Sequence, residues 1–589
     1  GEITFDRSPV GLTHVVENPG AATPDFSDQG ILESFETMIA FMKERYVFNT
    51  FNDVDWDALA EAVRPQVEQA DAEGSLGRYA VALLDLAQAV GDAHVYVDPS
   101  LVLTDPAERA VWNEFQAFGS AGVGATTVEL DDGRIIVNQV TPDGPADAAG
   151  LTFGTEVVSI NGRPASEVLV ETSYPWPNFP GSPEARRFTQ ATYLLNEPAG
   201  TQVEVGYILP DTTEVMTTTF TAAELERPQA HRGIMPVDYS LVDGYGYVTW
   251  PGFTRTGISS HIFSDFVKRM NQQQIPGIIL DLRSNGGGSA LLEYAMLSYL
   301  YSADEPFTFA GETNYRFNTE TGEFISDFNE LTLSAPENAT AYPGEVVVLV
   351  DQVCASACEF MSYYLQFTER ATVIGQYAST GAGGNTNQVI LPGHITFNYT
   401  AGTNLLDETG LPTFQGVGVV PDVRVPVTEA SEQAKLEGDD PVLDAAVTYL
   451  HEQELKALEL APKPFAEGQI TMTIPPNWVP NESMTKYTSP DDESIIAVAP
   501  YTTTNDIEPD AIEQRIDEDA EKVGEYKTDL ATWSIYHTPF GDQAAAVFVA
   551  TIDETPYVGV LIAKDDDFRD LLQRYILEPA LDSFEIVEE

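Results

Sequence analysis

Ser356 stands where a serine can act as a nucleophile. It follows an apolar run at 345–350 that predicts a buried strand, and it lies in the first turn of a predicted helix, 355–367. A serine in the first turn of a helix lies beside backbone N–H groups without intrahelical partners, and such groups stabilise an oxyanion during acyl transfer. Ser356 with Glu359 three residues later also fits a helix capping box, which implies no chemistry. These residues alone leave both interpretations open.

Three consecutive glycines follow a second predicted strand. Gly286, Gly287 and Gly288 come shortly after the apolar run 277–282. Backbone without side chains approaches a ligand closely and turns its amides outward, so these glycines predict the second side of an oxyanion hole. A flexible loop is the alternative. A phosphate-binding loop is excluded because no Lys-Ser/Thr pair follows the glycines.

A serine hydroxyl needs a positioned base, and histidine is the usual one. The chain has seven histidines: His14, His94, His231, His261, His394, His451 and His537. His94 lies in Gly91-Asp-Ala-His-Val-Tyr, directly before a β-rich region, whereas His394 lies in a predicted hairpin turn and is expected to be exposed. A single histidine on a loop is more often structural than catalytic, so the residues alone do not select the base.

The elements that must position these residues form four predicted regions. The chain has 589 residues, more than one hydrophobic core supports, so several domains are expected. The predicted fold class is multidomain α/β and α+β. The regions are an extended segment and helical cap carrying His94 (1–108), a β-rich unit (112–222), an α/β core (230–450) and an α+β domain (466–589). A helix is predicted at 510–523 in the last of these.

Charge and cysteine usage narrow the classes of function. The chain has 92 acidic and 29 basic residues, a formal net charge of −63, which disfavours nucleic-acid binding and docking on anionic membranes. No apolar run is long enough to span a membrane, and a targeting segment is expected to have been removed. Cys354 and Cys358 flank Ser356. We expect two buried thiols, with a disulfide as the alternative, and no zinc site.

Two motifs resemble those of a known family. Asp281-Leu-Arg-Ser-Asn-Gly-Gly-Gly and Cys354-Ala-Ser-Ala-Cys-Glu look like the paired motifs of the C-terminal-processing, tail-specific and tricorn-like serine proteases, and the match extends over roughly 28–450. The resemblance implies a ClpP/crotonase-like core with Ser356 as nucleophile. It assigns one oxyanion amide to Ala357 and the other to Gly286 or Gly287.

The resemblance also bears on the base. Tail-specific proteases use a lysine at the position of Gly381, but this chain has no lysine between Lys268 and Lys435, which excludes a Ser–Lys dyad. The tricorn-like branch uses a histidine at the place of His94, which makes His94 the implied base. Gln415 or Asp92 is the candidate to orient its ring. Glu359 is expected to brace the active-site loop.

The β-rich unit resembles a PDZ domain. The helix predicted at 184–195 would line its peptide groove, and the amides of Gly122, Val123 and Gly124 would receive a C-terminal carboxylate. A proline-rich insertion at 174–183 departs from the usual PDZ pattern. The last region is weakly similar to the PsbP-like fold, and an accessory role is expected for it.

The predicted function is that of an extracytoplasmic serine endopeptidase acting on unstructured or C-terminally presented polypeptides. No metal or cofactor is expected, and polypeptides are the expected partners, without nucleic acid or stable membrane insertion. One alternative is an inactive peptide-binding protein on the same scaffold, because fold does not fix function. Another is an acyl hydrolase of non-peptide esters.

Overall fold

The predicted multidomain architecture is confirmed in a computed structural model. The structure describes residues 23–52, 54–172, 180–224, 239–337, 339–403, 414–501 and 520–587. The chain divides into two compact units, residues 1–442 and 443–589. The predicted N-terminal extended segment up to residue 22 and most of the proline-rich insertion lie outside the described residues, as do His14 and His231.

Helices open the first unit, as their apolar spacing predicts. They are α1 (Ile31–Arg45), α2 (Asn49–Asn52), α3 (Trp56–Glu73), α4 (Leu76–Val90) and α5 (Pro106–Ser120), with strand β1 (Tyr96–Asp98) between the last two. Phe35 and Met38 of α1 are fully buried in one apolar cluster with Tyr79 and Leu83 of α4. This cluster holds the segment that carries His94.

The β-rich unit follows directly. Its strands are β2 (Ala121–Gly122), β3 (Ala125–Glu129), β4 (Ile135–Val140), β5 (Glu156–Ile160), β6 (Arg163–Pro164), β7 (Gln202–Ile208), β8 (Met216–Thr221) and β9 (Ala223–Glu224). Its helices are α6 (Pro145–Ala148), α7 (Ala165–Leu169) and α8 (Pro183–Tyr193), the last being the predicted groove helix. Strands β3, β4, β5, β7 and β8 form one antiparallel sheet.

A six-stranded, mostly parallel sheet forms the centre of the α/β core. Its order is β10 (Tyr239–Val242), β11 (Tyr245–Thr249), β12 (Gly277–Asp281), β15 (Glu345–Leu349), β16 (Thr372–Gly375) and β19 (Val423–Arg424). The helices of this region are α9 (Thr256–Gln273), α10 (Ala290–Leu297), α11 (Ala357–Phe367) and α12 (Glu429–Glu437). Since β12 and β15 are parallel neighbours, the glycine loop and the Ser356 turn leave the same edge of the sheet.

A second sheet, which the sequence did not predict, joins the N-terminal helices to the core. It contains β13 (Phe307–Asn318), β14 (Glu323–Leu333), β17 (Asn385–Leu391), β18 (Ile395–Thr403) and β1. Strand β1 pairs antiparallel with β18, and Tyr96 lies opposite Asn398. The segment before β1 therefore lies beside the core, although about 300 positions separate the two in the chain.

The second unit, residues 443–589, has its own α+β core. Helix α13 (Pro441–Ala457) leads into strands β20 (Ala461–Phe465), β21 (Ile470–Ile474), β22 (Val479–Pro480), β23 (Lys486–Thr488), β24 (Ile495–Pro500), β25 (Glu521–Lys527), β26 (Thr532–Phe540), β27 (Gln543–Ile552), β28 (Thr555–Ala563) and β29 (Glu585–Ile586), with helices α14 (Asp566–Leu572) and α15 (Glu578–Asp582). The helix predicted at 510–523 lies outside the described residues up to 519, and 521–523 belong to β25, which corrects that part. The PsbP-like resemblance stays a prediction.

Candidate active site

The Ser356 turn connects β15 to α11 in a backbone conformation that a serine rarely adopts. Ser356 has φ 57° and ψ −122° at the N-cap of α11. A non-glycine residue at positive φ costs about 1–3 kcal/mol and persists only where its surroundings hold it. The turn is held in part by a disulfide between Cys354 and Cys358, both fully buried. The expected pair of free thiols is therefore wrong; the four-residue spacing places the two Cα atoms 5.5 Å apart, within reach of a bridge.

Glu359 lies beneath this turn as a fully buried carboxylate. Its Oε2 accepts hydrogen bonds from the backbone N of Ser356 (3.0 Å) and of Ala382 (2.7 Å). Its Oε1 accepts from the backbone N of Gly381 and from Ser379 Oγ, each at 2.6 Å. Burial raises the pKa of Glu359 to about 7, and the four donors oppose that shift. Glu359 thus connects the Ser356 turn to the loop at 379–382.

The glycine loop is fixed by two polar residues that sequence reasoning did not select. Asn285, fully buried, donates from Nδ2 to Trp250 O (2.7 Å), and its Oδ1 accepts from Gly287 N (2.8 Å). Gly287 N is therefore already bonded. Gly286 N makes no hydrogen bond within the described residues, and open space lies beside its Cα. A Cβ on Gly287 would lie 2.8 Å from the Ser356 Cβ, so Gly287 marks the contact between the two loops.

Asp351 is the second of these residues, and it binds both loops. Its carboxylate accepts from Ser284 N (2.9 Å) before the glycines, and from Val353 N and Cys354 N (3.0 Å each) before the nucleophile. Burial raises the pKa of Asp351, while these amides and the nearby Arg283 oppose the shift. Its position at the carboxyl end of a parallel strand is the signal by which it could have been found.

His94 lies between α4 and β1, with only 8% of its surface exposed. Its backbone N donates to Asp92 Oδ1 (2.9 Å), and Asp92 Oδ2 accepts from Tyr46 Oη (2.8 Å) and Thr400 Oγ1 (2.6 Å). Asp92 is thus a buried anchor for the backbone of His94 and for strand β18. Among the described residues, no hydrogen bond joins the Asp92 carboxylate to the imidazole ring.

The imidazole of His94 is held mainly by packing. Its Nδ1 is buried and has no hydrogen-bond partner among the described residues. Burial lowers the pKa of His94 below its usual 6.5, with the Asp92 carboxylate opposing, so the ring is neutral at neutral pH. Gln415, the other candidate to orient the ring, accepts from Gly383 N through Oε1 (2.6 Å). The amide oxygen of Gln415 therefore supports the loop beside the Ser356 turn.

One loop, 379–384, contacts both the nucleophile side and the histidine side. Glu359, which binds Ser356 N, also binds Ala382 N. Two residues later, a Cβ on Gly384 would lie 2.6 Å from Thr400 Cγ2, and Thr400 binds Asp92. The Ser356 turn and the segment of His94 are thus joined through one short stretch of backbone.

The predicted carboxylate-binding amides lie inside the β-rich unit. Gly122, Val123 and Gly124 are all buried, and Val123 N donates to Leu195 O (3.2 Å). A Cβ on Gly122 would lie 2.7 Å from the same carbonyl. This differs from the predicted carboxylate-binding role, because the Val123 amide already has a partner and the helix end lies directly against the loop.

Two further observations concern metal-binding clusters and membrane-spanning helices. Among the described residues, no group of three His, Cys, Asp or Glu side chains is placed to hold a metal ion. Within the same ranges, no helix combines the length and apolarity needed to cross a membrane.

Comparisons with known proteins agree with this architecture. Residues 244–425 match Peptidase family S41, and residues 113–173 match the PDZ domain. The chain is 25% identical over 298 residues to the carboxy-terminal processing protease CtpB of Bacillus subtilis, covering 50% of this chain and 53% of CtpB. It is 24% identical over 433 residues to the chloroplastic carboxyl-terminal-processing peptidase 3 of Arabidopsis thaliana, covering 71% of this chain and 74% of that peptidase.

A solved structure supports the fold. The crystal structure of mature CPAF matches with a TM-score of 0.50 at 14% identity, over 72% of this chain and 96% of that one. At this identity the likeness concerns the fold alone. The chain spans about half the length of the Bacillus subtilis relative. The chain therefore contains a region similar to Peptidase family S41, with a region similar to the PDZ domain ahead of it, and carboxy-terminal processing proteases are among its relatives.

Proposed function

We propose that the chain is an endopeptidase that cleaves unstructured polypeptides, with Ser356 as nucleophile and His94 as general base. The observation that carries the proposal is the Ser356 turn itself. A serine is held at φ 57° at the start of α11, against Gly287 of a loop whose preceding amide, Gly286 N, makes no hydrogen bond within the described residues. Strain of this kind is retained where surrounding structure holds it, and it occurs at catalytic nucleophiles.

The proposed reaction is acyl transfer. Ser356 Oγ bonds to the substrate carbonyl carbon while its proton passes to His94, and the carbonyl electrons move to the oxygen. The backbone N–H groups of Ala357 and Gly286 are the proposed donors to that oxyanion, in place of the Gly287 amide, which is bonded to Asn285. The C–N bond then breaks, and His94 returns the proton to the leaving amine. Water hydrolyses the acyl-enzyme by the same route.

The lowered pKa of His94 supports its role as a base. A neutral imidazole accepts a proton, whereas an imidazolium does not, and burial keeps His94 neutral. The shared loop at 379–384 supports placing His94 near Ser356. Gln415 and Asp92 are proposed to support this site by holding the loop and the backbone of His94. Capture of a C-terminal carboxylate at 122–124 would require Val123 N to release Leu195 O.

An extracytoplasmic location is part of the proposal. Its support is the buried disulfide at Cys354 and Cys358, because disulfides persist mainly in oxidising compartments. The negative charge of the chain also disfavours nucleic acid and anionic membranes as partners. A peptide map of natively expressed protein, with and without reductant, should find the two cysteines joined. Free thiols in that map would contradict the location.

Substitution of the two residues tests the activity. We expect Ser356→Ala and His94→Ala each to lower kcat/KM for an unstructured peptide by about 10⁴-fold, since the members of such a dyad act as one unit. Matched controls are Ser362→Ala, a buried serine on the same helix, and His394→Ala, an exposed histidine; both should stay near the wild type. Full activity in either test variant would refute its role.

A peptide-binding protein without catalysis is the second candidate. It is favoured by one observation, the buried His94 Nδ1 that has no hydrogen-bond partner among the described residues. A fluorophosphonate probe separates the two functions. Labelling at Ser356 supports the peptidase, and its absence in a protein that still binds unstructured peptide supports the binding protein.

A further inference from the structure

The start of helix α8, in the PDZ domain, is bonded to the loop at 378–382. Ser182, the N-cap of α8, is fully buried and donates from Oγ to Ser379 O and from its backbone N to Thr380 O, each at 2.6 Å. Glu184 Oε2 accepts from Ala378 N, also at 2.6 Å. Three successive residues of the loop are therefore held by one turn of a helix from another domain.

The opposite side of the same loop faces the nucleophile. Ser379 Oγ, Gly381 N and Ala382 N all donate to Glu359, which in turn accepts from Ser356 N. Ser379 links the two sides of the loop, because its carbonyl accepts from Ser182 Oγ while its hydroxyl donates to Glu359. A continuous series of hydrogen bonds thus runs from the PDZ domain to the backbone of Ser356.

The contact between helix and loop is close. A Cβ on Gly181 would lie 2.6 Å from Gly381 O, so no larger residue fits there without movement of one backbone. Phe188 of α8 also packs against Tyr377 in a T-shaped contact with ring centroids 5.2 Å apart. The start of α8 and the loop are therefore in direct contact through both backbone and side chains.

Helix α8 is fixed on its other side as well. Thr127 of β3 is buried and donates from Oγ1 to Ala191 O (2.6 Å). Arg187 of α8 forms a bidentate ion pair with Glu129 of the same strand (2.6 and 2.7 Å). These bonds join the two walls of the groove in which a PDZ domain would receive a peptide strand. Helix α8 is therefore bonded to strand β3 on one side and to the loop 378–382 on the other.

We propose that Ser182 and Glu184 are positioning residues for the nucleophile, acting through the loop 378–382 and Glu359. The expected effect on the kinetics rests on the proposed function of Ser356 as nucleophile. A buried carbonyl or amide that loses its partner carries an unfavourable free energy, and relaxation of the loop relieves it. Relaxation withdraws donors from Glu359, which then holds Ser356 N less firmly.

Two variants and one rescue test the proposal. Ser182→Ala removes the donor to Ser379 O, and Glu184→Ala removes the acceptor of Ala378 N at an exposed side chain. We expect each to lower kcat and the rate of fluorophosphonate labelling at Ser356 about tenfold with KM unchanged. Glu184→Gln keeps an acceptor oxygen and should restore most of the rate. Thr189→Ala, which removes a hydroxyl bonded within α8, is the matched control.

Hydrogen exchange makes the test independent of activity. In Ser182→Ala and Glu184→Ala, amides at 354–360 should exchange faster together with those at 378–382, whereas Thr189→Ala should change neither segment. If the wild type is not labelled, the proposed function fails, and exchange at 354–360 still decides the positioning role. Labelling within twofold of the wild type in both variants, or faster exchange confined to 182–190, overturns the inference.

Discussion

The two sides of the candidate site are held in different ways. On the nucleophile side, the buried carboxylate of Glu359 and the half-buried carboxylate of Asp351 each accept several backbone amides, and a disulfide spans the turn. On the histidine side, the ring of His94 is buried with Nδ1 unbonded within the described residues, and hydrogen bonding fixes only its backbone through Asp92.

This difference follows from what each side must hold. Ser356 occupies a strained backbone conformation, so its surroundings must supply the free energy that keeps it there. A buried carboxylate can do so, but only when donors surround it, which explains the density of hydrogen bonds. A neutral imidazole is buried at much smaller cost, and burial itself gives it the pKa of a usable base. Packing is therefore sufficient on that side.

The largest effect is expected at Asp351. Asp351→Ala leaves the amides of Ser284 and Val353 without their acceptor at the junction of the two loops, whereas Cys354 N keeps the Asp351 carbonyl (3.1 Å). We expect the free energy of unfolding to fall by about 3 kcal/mol and kcat/KM to fall about 100-fold. Denaturant unfolding and peptide kinetics measure the two effects.

Asp351→Asn keeps one acceptor oxygen and should lie between the wild type and Asp351→Ala. Asp304→Ala, at an exposed acid of the same region, serves as the control and should match the wild type. Wild-type kinetics in Asp351→Ala would show that the nucleophile side does not depend on this anchor.

A smaller effect is expected at Asp92 on the histidine side. Asp92→Asn leaves at least one of the donors Tyr46, Thr400 and His94 N without an acceptor, and we expect kcat to fall about tenfold. Asp98→Asn is a close control, because Asp98 also accepts an amide two residues later (2.9 Å) but is exposed. If both variants behave alike, the buried anchor does not matter to the base.

The smallest change in rate is expected in the pH profile, which should distinguish the nucleophile side from the histidine side. As the pH falls through about 7, Glu359 takes up a proton amid four donors and Ser356 N loses its acceptor, so kcat/KM should decline. As the pH falls further, below 6.5, His94 becomes charged and a second decline should follow. Glu359→Gln should abolish the upper step and leave the lower one. A wild-type profile with a single step below 6.5 would contradict the role given to Glu359.

Local pattern predicted much of the fold. Strands β12 and β15 coincide with the apolar runs at 277–282 and 345–350, and α11 begins directly after Ser356. The sheet of β13, β14, β17 and β18 was missed, although β13–β14 and β17–β18 are hairpins of neighbouring segments. The pairings that assemble these hairpins into one sheet, β18 with β13 and with β1, join segments distant in the chain, and no local signal marks those pairings.

The sequence by itself indicated the resemblance to processing peptidases and the two turns that carry the glycines and Ser356, and the role of Ser356 as nucleophile stays a prediction. Motifs of this kind are local, because a strand, a turn and a helix start need only neighbouring residues. Tertiary structure decided which amides are free, since Gly287 N and Val123 N are bonded to Asn285 and Leu195 by folding. It also decided that α8 supports the loop beside Ser356. Hydrogen bonds between distant segments depend on the packing of whole sheets and helices, which residue spacing does not encode.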